Sequence, residues 1–173
     1  MRNITHRIQW LNSLSTADAE AEFLKCCGCR NWARGLTNAR PFADSDALFR
    51  AADNLWWALS EEGWLEAFRA HPKIGEQNAA AVQSEQARNW SAQEQSGIHA
   101  AAIETKAALA AGNQKYEERF GFIFIVCASG RSPEEMLNIL NVRMQNDPGT
   151  ELRVAAEEQR KITRLRLEKL LNQ

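Results

Sequence analysis

Gly121-Phe122-Ile123-Phe124-Ile125-Val126 is the stretch of this chain that has the composition of a strand. β-Branched and aromatic residues dominate it, as they do on pleated, half-buried surfaces. No other run in the chain offers it a pairing partner. A lone strand would leave a row of backbone N–H and C=O groups unpaired. The stretch is therefore expected to be a buried extended connector or an irregular helix start, with spare backbone groups to offer a ligand. With no sheet to build, the fold must rest on helices.

Helix signals surround that stretch on both sides. On the C-terminal side, Ser132-Pro133-Glu134-Glu135 combines a capping serine, an N1 proline and a reciprocal glutamate. The helix it starts should run to about Gln145 and stop before Asp147-Pro148-Gly149, after which Thr150 caps a last helix. On the N-terminal side, Tyr116 to Phe120 reads as a helix end, and Ser91 to Ala111 as an alanine-rich helix former. Ser15 caps an earlier helix with Asp18 in its first turn and Phe23 and Leu24 on its apolar face. A shorter helix around Asn31 to Leu36 ends before the breaker Asn38-Ala39-Arg40-Pro41. From Asp44 or Ser45 a long helical pattern passes Trp56, Trp57 and Leu59, weakens at Gly63 and resumes through Trp64, Leu65 and Phe68 to Ala70. Pro72 and Gly75 then impose a loop. Without repeats, low-complexity tracts or a linker, residues 1–173 are expected to form one compact all-α bundle.

Composition narrows the function. The chain is 45% apolar and 25% charged, an ordinary globular mixture. Lys and Arg number 21 against 22 Asp and Glu, so there is no basic excess to serve a nucleic-acid partner. The longest apolar run, Phe120 to Ala128, falls far short of the roughly 18–20 residues that cross a bilayer. No signal-peptide h-region opens the sequence, and a soluble, cytoplasmic protein is the expectation. Cys27-Gly28-Cys29 is too tight for the usual metal knuckle, and Cys26, Cys27, Cys29 and Cys127 are read as reduced, packed thiols with no metal site.

Three polar features stand where a bundle should be apolar or bland. Leu152, Ala155, Ile162 and Leu170 share one face of the last helix, and Arg166 falls near the middle of it, while Arg160 and Arg164 point away. Arg143 likewise lies among Met136, Ile139 and Leu140. For Arg143 the simpler reading is snorkelling, or a structural ion pair to Glu151 or a similar carboxylate. Arg166 could equally bind a carboxylate or carbonyl of an anionic small molecule through its planar fork. The second feature is His71-Pro72-Lys73-Ile74-Gly75-Glu76, where proline fixes φ beside the imidazole and Gly75 permits a sharp return. Imidazole titrates near neutrality and can move a proton there. The third is Ser91-Ala92-Gln93-Glu94-Gln95, which reads as a capping box at a helix entrance, where orphan N–H groups would favour an anion.

Taken in order, the His71 loop, Ser91 with Glu94-Gln95, the run Arg119 to Val126 and the segment Ile162-Thr163-Arg164-Leu165-Arg166-Leu167 resemble the 2-oxo-4-hydroxy-4-carboxy-5-ureidoimidazoline (OHCU) decarboxylase family of urate breakdown. The resemblance implies an all-helical, cofactor-free, usually homodimeric enzyme that converts this ureidoimidazoline into (S)-allantoin and carbon dioxide. It assigns catalysis to His71, supported by Glu94. It assigns substrate binding to Pro72, to Ser91, Ala92, Gln93, Glu94 and Gln95, and to backbone from Phe122, Ile123, Phe124, Ile125 and Val126. Arg166 is expected to contribute, the helical wheel favouring it over Arg164. Two other readings compete: a relative acting on another ureido or imidazoline acid, and a helical interaction module without enzymatic activity.

Overall fold

A computed structural model of the chain describes residues 2–74, 84–96 and 103–173. Among these residues there are nine helices and no strand: α1 (Arg2–Ser13), α2 (Thr16–Cys26), α3 (Arg30–Asn38), α4 (Ser45–Ala58), α5 (Glu61–Arg69), α6 (Glu85–Glu94), α7 (Ile103–Phe120), α8 (Pro133–Arg143) and α9 (Pro148–Leu171). Residues 121–128 form neither helix nor strand, in line with the connector the sequence calls for. Gly75, Glu76, His99 and the part of the alanine-rich segment at 97–102 lie outside the described residues.

Several boundaries follow directly from local chemistry. Ser15 accepts from the Asp18 amide and starts α2. Ser132 and Glu135 form a reciprocal capping box at α8, with proline at its first position. Three boundaries differ from the sequence reading. Extended backbone at Leu59 ends α4, and the Ser60 carbonyl receives the amides of Gly63 and Trp64, so the break falls before Gly63. The cap of α9 is Asp147, which accepts from the Thr150 amide at 3.0 Å and from its hydroxyl at 2.6 Å. Thr150 itself lies inside the first turn.

The third correction concerns Ser91. The capping serine of this region is Ser84, whose hydroxyl accepts from the Ala87 amide at 3.2 Å. Ser91 is buried in the last turn of α6, and Gln95 closes the helix by donating its amide to the Ser91 carbonyl at 3.1 Å. Ala87, Trp90 and Ser91 are three and four residues apart, so only a helix spanning 85–94 buries all of them on one face.

The chain divides into two compact units, one comprising Met1–Ala67 and Arg160–Gln173, the other Phe68–Gln159. In the first, Phe23 meets Trp32 and Phe42 edge-on at 6.4 Å in each case. Trp32 donates its indole N–H to the Ala52 carbonyl at 3.0 Å, and Trp64 does the same to Trp56 at 2.9 Å, so both rings are buried without an orphan donor. Arg7 donates to the Leu170 carbonyl through Nε and Nη2, both at 3.2 Å, tying α1 to the end of α9.

The core of the second unit gathers Ile74, Leu109, Tyr116, Phe124, Val126, Ala128, Met136 and Leu140. Alternate residues of the connector thus enter one apolar cluster. Gly121 begins the connector at φ +77°, a left-handed backbone that a side chain would strain, and its amide closes α7 on the Glu117 carbonyl at 2.8 Å.

Candidate functional site

Two anchors hold the His71 loop within the second unit. The His71 amide donates to the Phe68 carbonyl at 3.0 Å, fixing the loop backbone just beyond the end of α5 at Arg69. Past it, Lys73 Nζ pairs with Glu117 at 2.8 Å, and the Ile74 carbonyl accepts from Asn113 at 3.4 Å. Both partners belong to α7. Between these points His71 and Pro72 are half-buried.

At the end of α6, Gln93, Glu94 and Gln95 line a cavity of about 330 Å³ together with Ala128, Ser129, Gly130, Arg131 and Met136. This volume lies within the range of about 300–1,000 Å³ seen for small-molecule sites. Gly130 turns the cavity wall at φ +78°, which again calls for glycine. Because α6 ends here, this is the carbonyl end of a helix, whose partial charge is negative. Ser91, in the last turn of this helix, is therefore not the helix entrance whose orphan amides the sequence reading expected.

A cation is supplied to the cavity wall by Arg131. Arg131 Nη1 donates to Glu158 Oε2 at 3.1 Å, and the same oxygen accepts from the Cys127 amide at 2.8 Å. Glu158, on α9, is buried, whereas Arg131 is partly exposed. Burial raises the Cys127 thiol above its ordinary value, with the negative charges of Glu158 and Glu94 adding to the rise and Arg131 opposing it. Neither Arg131 nor Glu158 was singled out by the sequence reading. The signal was there for Glu158: it stands three residues after Ala155 and four before Ile162, on the buried face of α9.

Other expected site residues are placed as follows. Ser91 is buried, and Ala92 is exposed. Phe122 is half-buried against Phe68 and Tyr116, with centroids 5.4 and 5.8 Å away, and Ile123 is also half-buried. Phe124 and Val126 point their side chains into the core. The Ile125 carbonyl already accepts from Arg143 Nη1 at 2.8 Å. Arg143 also donates to Glu151 through Nε at 2.7 Å and to the Tyr116 hydroxyl at 3.2 Å. Of the two simpler readings the sequence left open, it is the structural ion pair with Glu151, stacked on Phe124 at 4.7 Å. Arg166 belongs to the first unit, is 2% exposed, and its charge acts on the thiols of Cys26 and Cys27. Burial pushes Cys27 up to about 12 and Cys26 higher still, so the two remain neutral thiols. Arg164 pairs with Glu168 at 2.8 Å and stacks on Phe49 at 3.4 Å.

The helical scaffold carries a polar cleft whose volume suits a small molecule. The sequence profile of the family described as OHCU decarboxylase matches residues 12–168. A uric acid degradation bifunctional protein of Arabidopsis thaliana is 38% identical over 88% of this chain, which spans 47% of that longer protein. A 2-oxo-4-hydroxy-4-carboxy-5-ureidoimidazoline decarboxylase of Amia calva is 31% identical over 93% of this chain and 92% of its own length. A crystal structure of an OHCU decarboxylase in the presence of (S)-allantoin superposes with a TM-score of 0.75, at 36% identity, over 88% of this chain and 98% of that one. The chain belongs to the OHCU decarboxylase family.

Proposed function

We propose that this protein is a carboxy-lyase converting 2-oxo-4-hydroxy-4-carboxy-5-ureidoimidazoline into (S)-allantoin and carbon dioxide, with His71 as acid–base and Glu94 as its supporting carboxylate. The observation that carries the reading is the family match over residues 12–168, joined to a cavity of about 330 Å³ lined by Gln93, Glu94 and Gln95. His71 and Pro72 are not among its lining residues, and their roles come from the family resemblance. Its wall offers amides and a carboxylate for ureido and ring N–H and C=O groups, together with a guanidinium.

The reaction suits a site built from side chains and backbone. The substrate carboxylate is attached to a carbon that carries a hydroxyl and adjoins a ring C=N. When carbon dioxide leaves, the electron pair of the broken C–C bond enters that C=N instead of remaining on carbon. The former imine nitrogen takes one proton from solvent, and losing the hydroxyl proton while gaining one at the ureido-bearing carbon completes the ring carbonyl of allantoin. His71 takes the first proton and delivers the second to one face, which yields a single enantiomer. Pro72, Ser91 to Gln95 and backbone of 122–126 position the ring. General acid–base help of this kind supplies on the order of 10²–10⁴-fold. Positioning and preorganised dipoles supply more.

Urate treated with urate oxidase and hydroxyisourate hydrolase provides the substrate in situ, and circular dichroism follows (S)-allantoin. The wild type should accelerate its appearance, and failure to do so overturns the proposed substrate. His71→Asn should lose about 10²–10⁴-fold in kcat with the helical spectrum unchanged, and Glu94→Gln a smaller factor. Undiminished turnover in His71→Asn removes its proton role. The proposal includes a cytoplasmic homodimer, supported by the family resemblance; sedimentation at micromolar concentration tests the dimer. No helix among the described residues is long and apolar enough to cross a membrane.

A further inference from the structure

We propose that Arg131, held by Glu158, is the residue that recognises the substrate carboxylate and thereby selects a carboxylated ureido compound over its decarboxylated product. This rests on the decarboxylase reading above. The carbonyl end of α6 brings a negative partial charge to the cleft, and Glu94 brings another. An anionic substrate entering that field needs a compensating cation. Among the described residues lining the cavity, Arg131 is the only one.

Its geometry is that of a held fork. Nη1 is engaged by Glu158 Oε2 at 3.1 Å, which fixes the plane of the guanidinium. Nε and Nη2 have no hydrogen-bond partner among the described residues, and 29% of the side chain is exposed. That edge presents two parallel N–H donors, the arrangement that binds a carboxylate bidentately. Glu158 is itself tied down by the Cys127 amide at 2.8 Å, so the guanidinium is positioned by the same connector that forms the cavity wall at Ala128. Glu158 is therefore a positioning residue. A fork on the carboxylate binds it in the ground state, so its loss should appear in KM far more than in kcat.

The test compares wild type, Arg131→Gln, Arg131→Lys and Glu158→Gln by steady-state kinetics. Calorimetric titration accompanies it, with allantoate, which pairs a carboxylate with ureido groups, and with (S)-allantoin, which has no carboxylate. Arg131→Gln should raise KM roughly 10–100-fold, the loss expected for a charge-assisted bidentate contact, and change kcat by less than about 3-fold. Arg131→Lys should fall between, keeping charge without the fork. Glu158→Gln should raise KM less than Arg131→Gln, and the double variant should be no worse than Arg131→Gln. Wild type should prefer allantoate to allantoin, and Arg131→Gln should abolish that preference while binding allantoin normally. Unchanged KM and unchanged preference in Arg131→Gln overturn the proposal, even if the wild type decarboxylates. Equal weakening of both ligands also overturns it, because it marks a merely structural role. If instead the wild type binds allantoate through Arg131 yet turns over no ureidoimidazoline, carboxylate recognition stands and the decarboxylase reading falls.

Discussion

Arg143 shows how a guanidinium is kept inside a packed core. It is 5% exposed and Glu151 is fully buried, so neither charge can rely on water. Four groups share the load: Glu151 accepts from Arg143, from the Tyr116 hydroxyl and, at 2.8 Å, from Asn146, while the Ile125 carbonyl takes the other side of the guanidinium. Burial, reinforced by Glu151, lifts the Tyr116 hydroxyl well above the ordinary phenol range, and it stays a donor. Glu151→Gln should therefore destabilise the protein by about 3–5 kcal/mol, the cost of stranding one charge of a buried pair. Urea unfolding measures it, and a loss below about 1 kcal/mol would show that the network does not bear on stability. This pair was legible in the sequence, because Arg143 falls on the apolar face of its own helix and Glu151 lies just beyond the intervening turn. Arg131 was not legible: it follows a Ser-Gly turn, and only the folded chain brings it to the same cavity as Glu94.

Helix ends differ in how openly they announce themselves. The start of α8 is legible because serine, proline and glutamate satisfy their own backbone within four residues. The start of α6 is not, because Ser84 and Ser91 both precede acidic or amide residues and only burial of Trp90 decides between them. That choice moved Ser91 from an expected helix cap to the last turn of α6. At α9 the cap is acidic, and the Thr150 hydroxyl and amide hold the Asp147 carboxyl below its usual value. A lowered folded-state value means stability that is present above the unfolded-state carboxylate pKa of about 3.9 and lost as pH falls through the lower folded one. Wild type should accordingly have a higher Tm than Asp147→Asn at pH 6–7, the gap closing in acid. A gap independent of pH would show that the charge contributes nothing.

The division of the chain into two units cannot be found as a linker, because both boundaries fall inside helices: one in α5, the other in α9. The residues assigned to the first unit come from two distant stretches, and no local pattern joins 1–67 to 160–173. The later stretch is indispensable to that unit's core. It brings Ile162, Leu167, Leu170 and Leu171, all buried, each worth about 1.5–3 kcal/mol. Their sum approaches the entire stability of an ordinary domain, about 5–15 kcal/mol. Truncation after Gln159 should thus leave the first unit without cooperative unfolding and with increased binding of a hydrophobic dye. A truncated chain that melts with the wild-type enthalpy would contradict this.

The same arrangement matters while the chain is being made. Residues 1–67 leave the ribosome carrying Phe23, Trp32 and Leu36, which are destined for burial. Their missing half arrives only after 68–159 have been synthesised, a delay of about 5–20 s at about 5–20 residues per second. The second unit, with its cleft, is contiguous and meets no such delay. Newborn chains therefore expose the apolar surface of 1–67 until 160–173 have emerged, and that stretch is where a chaperone would be expected to bind.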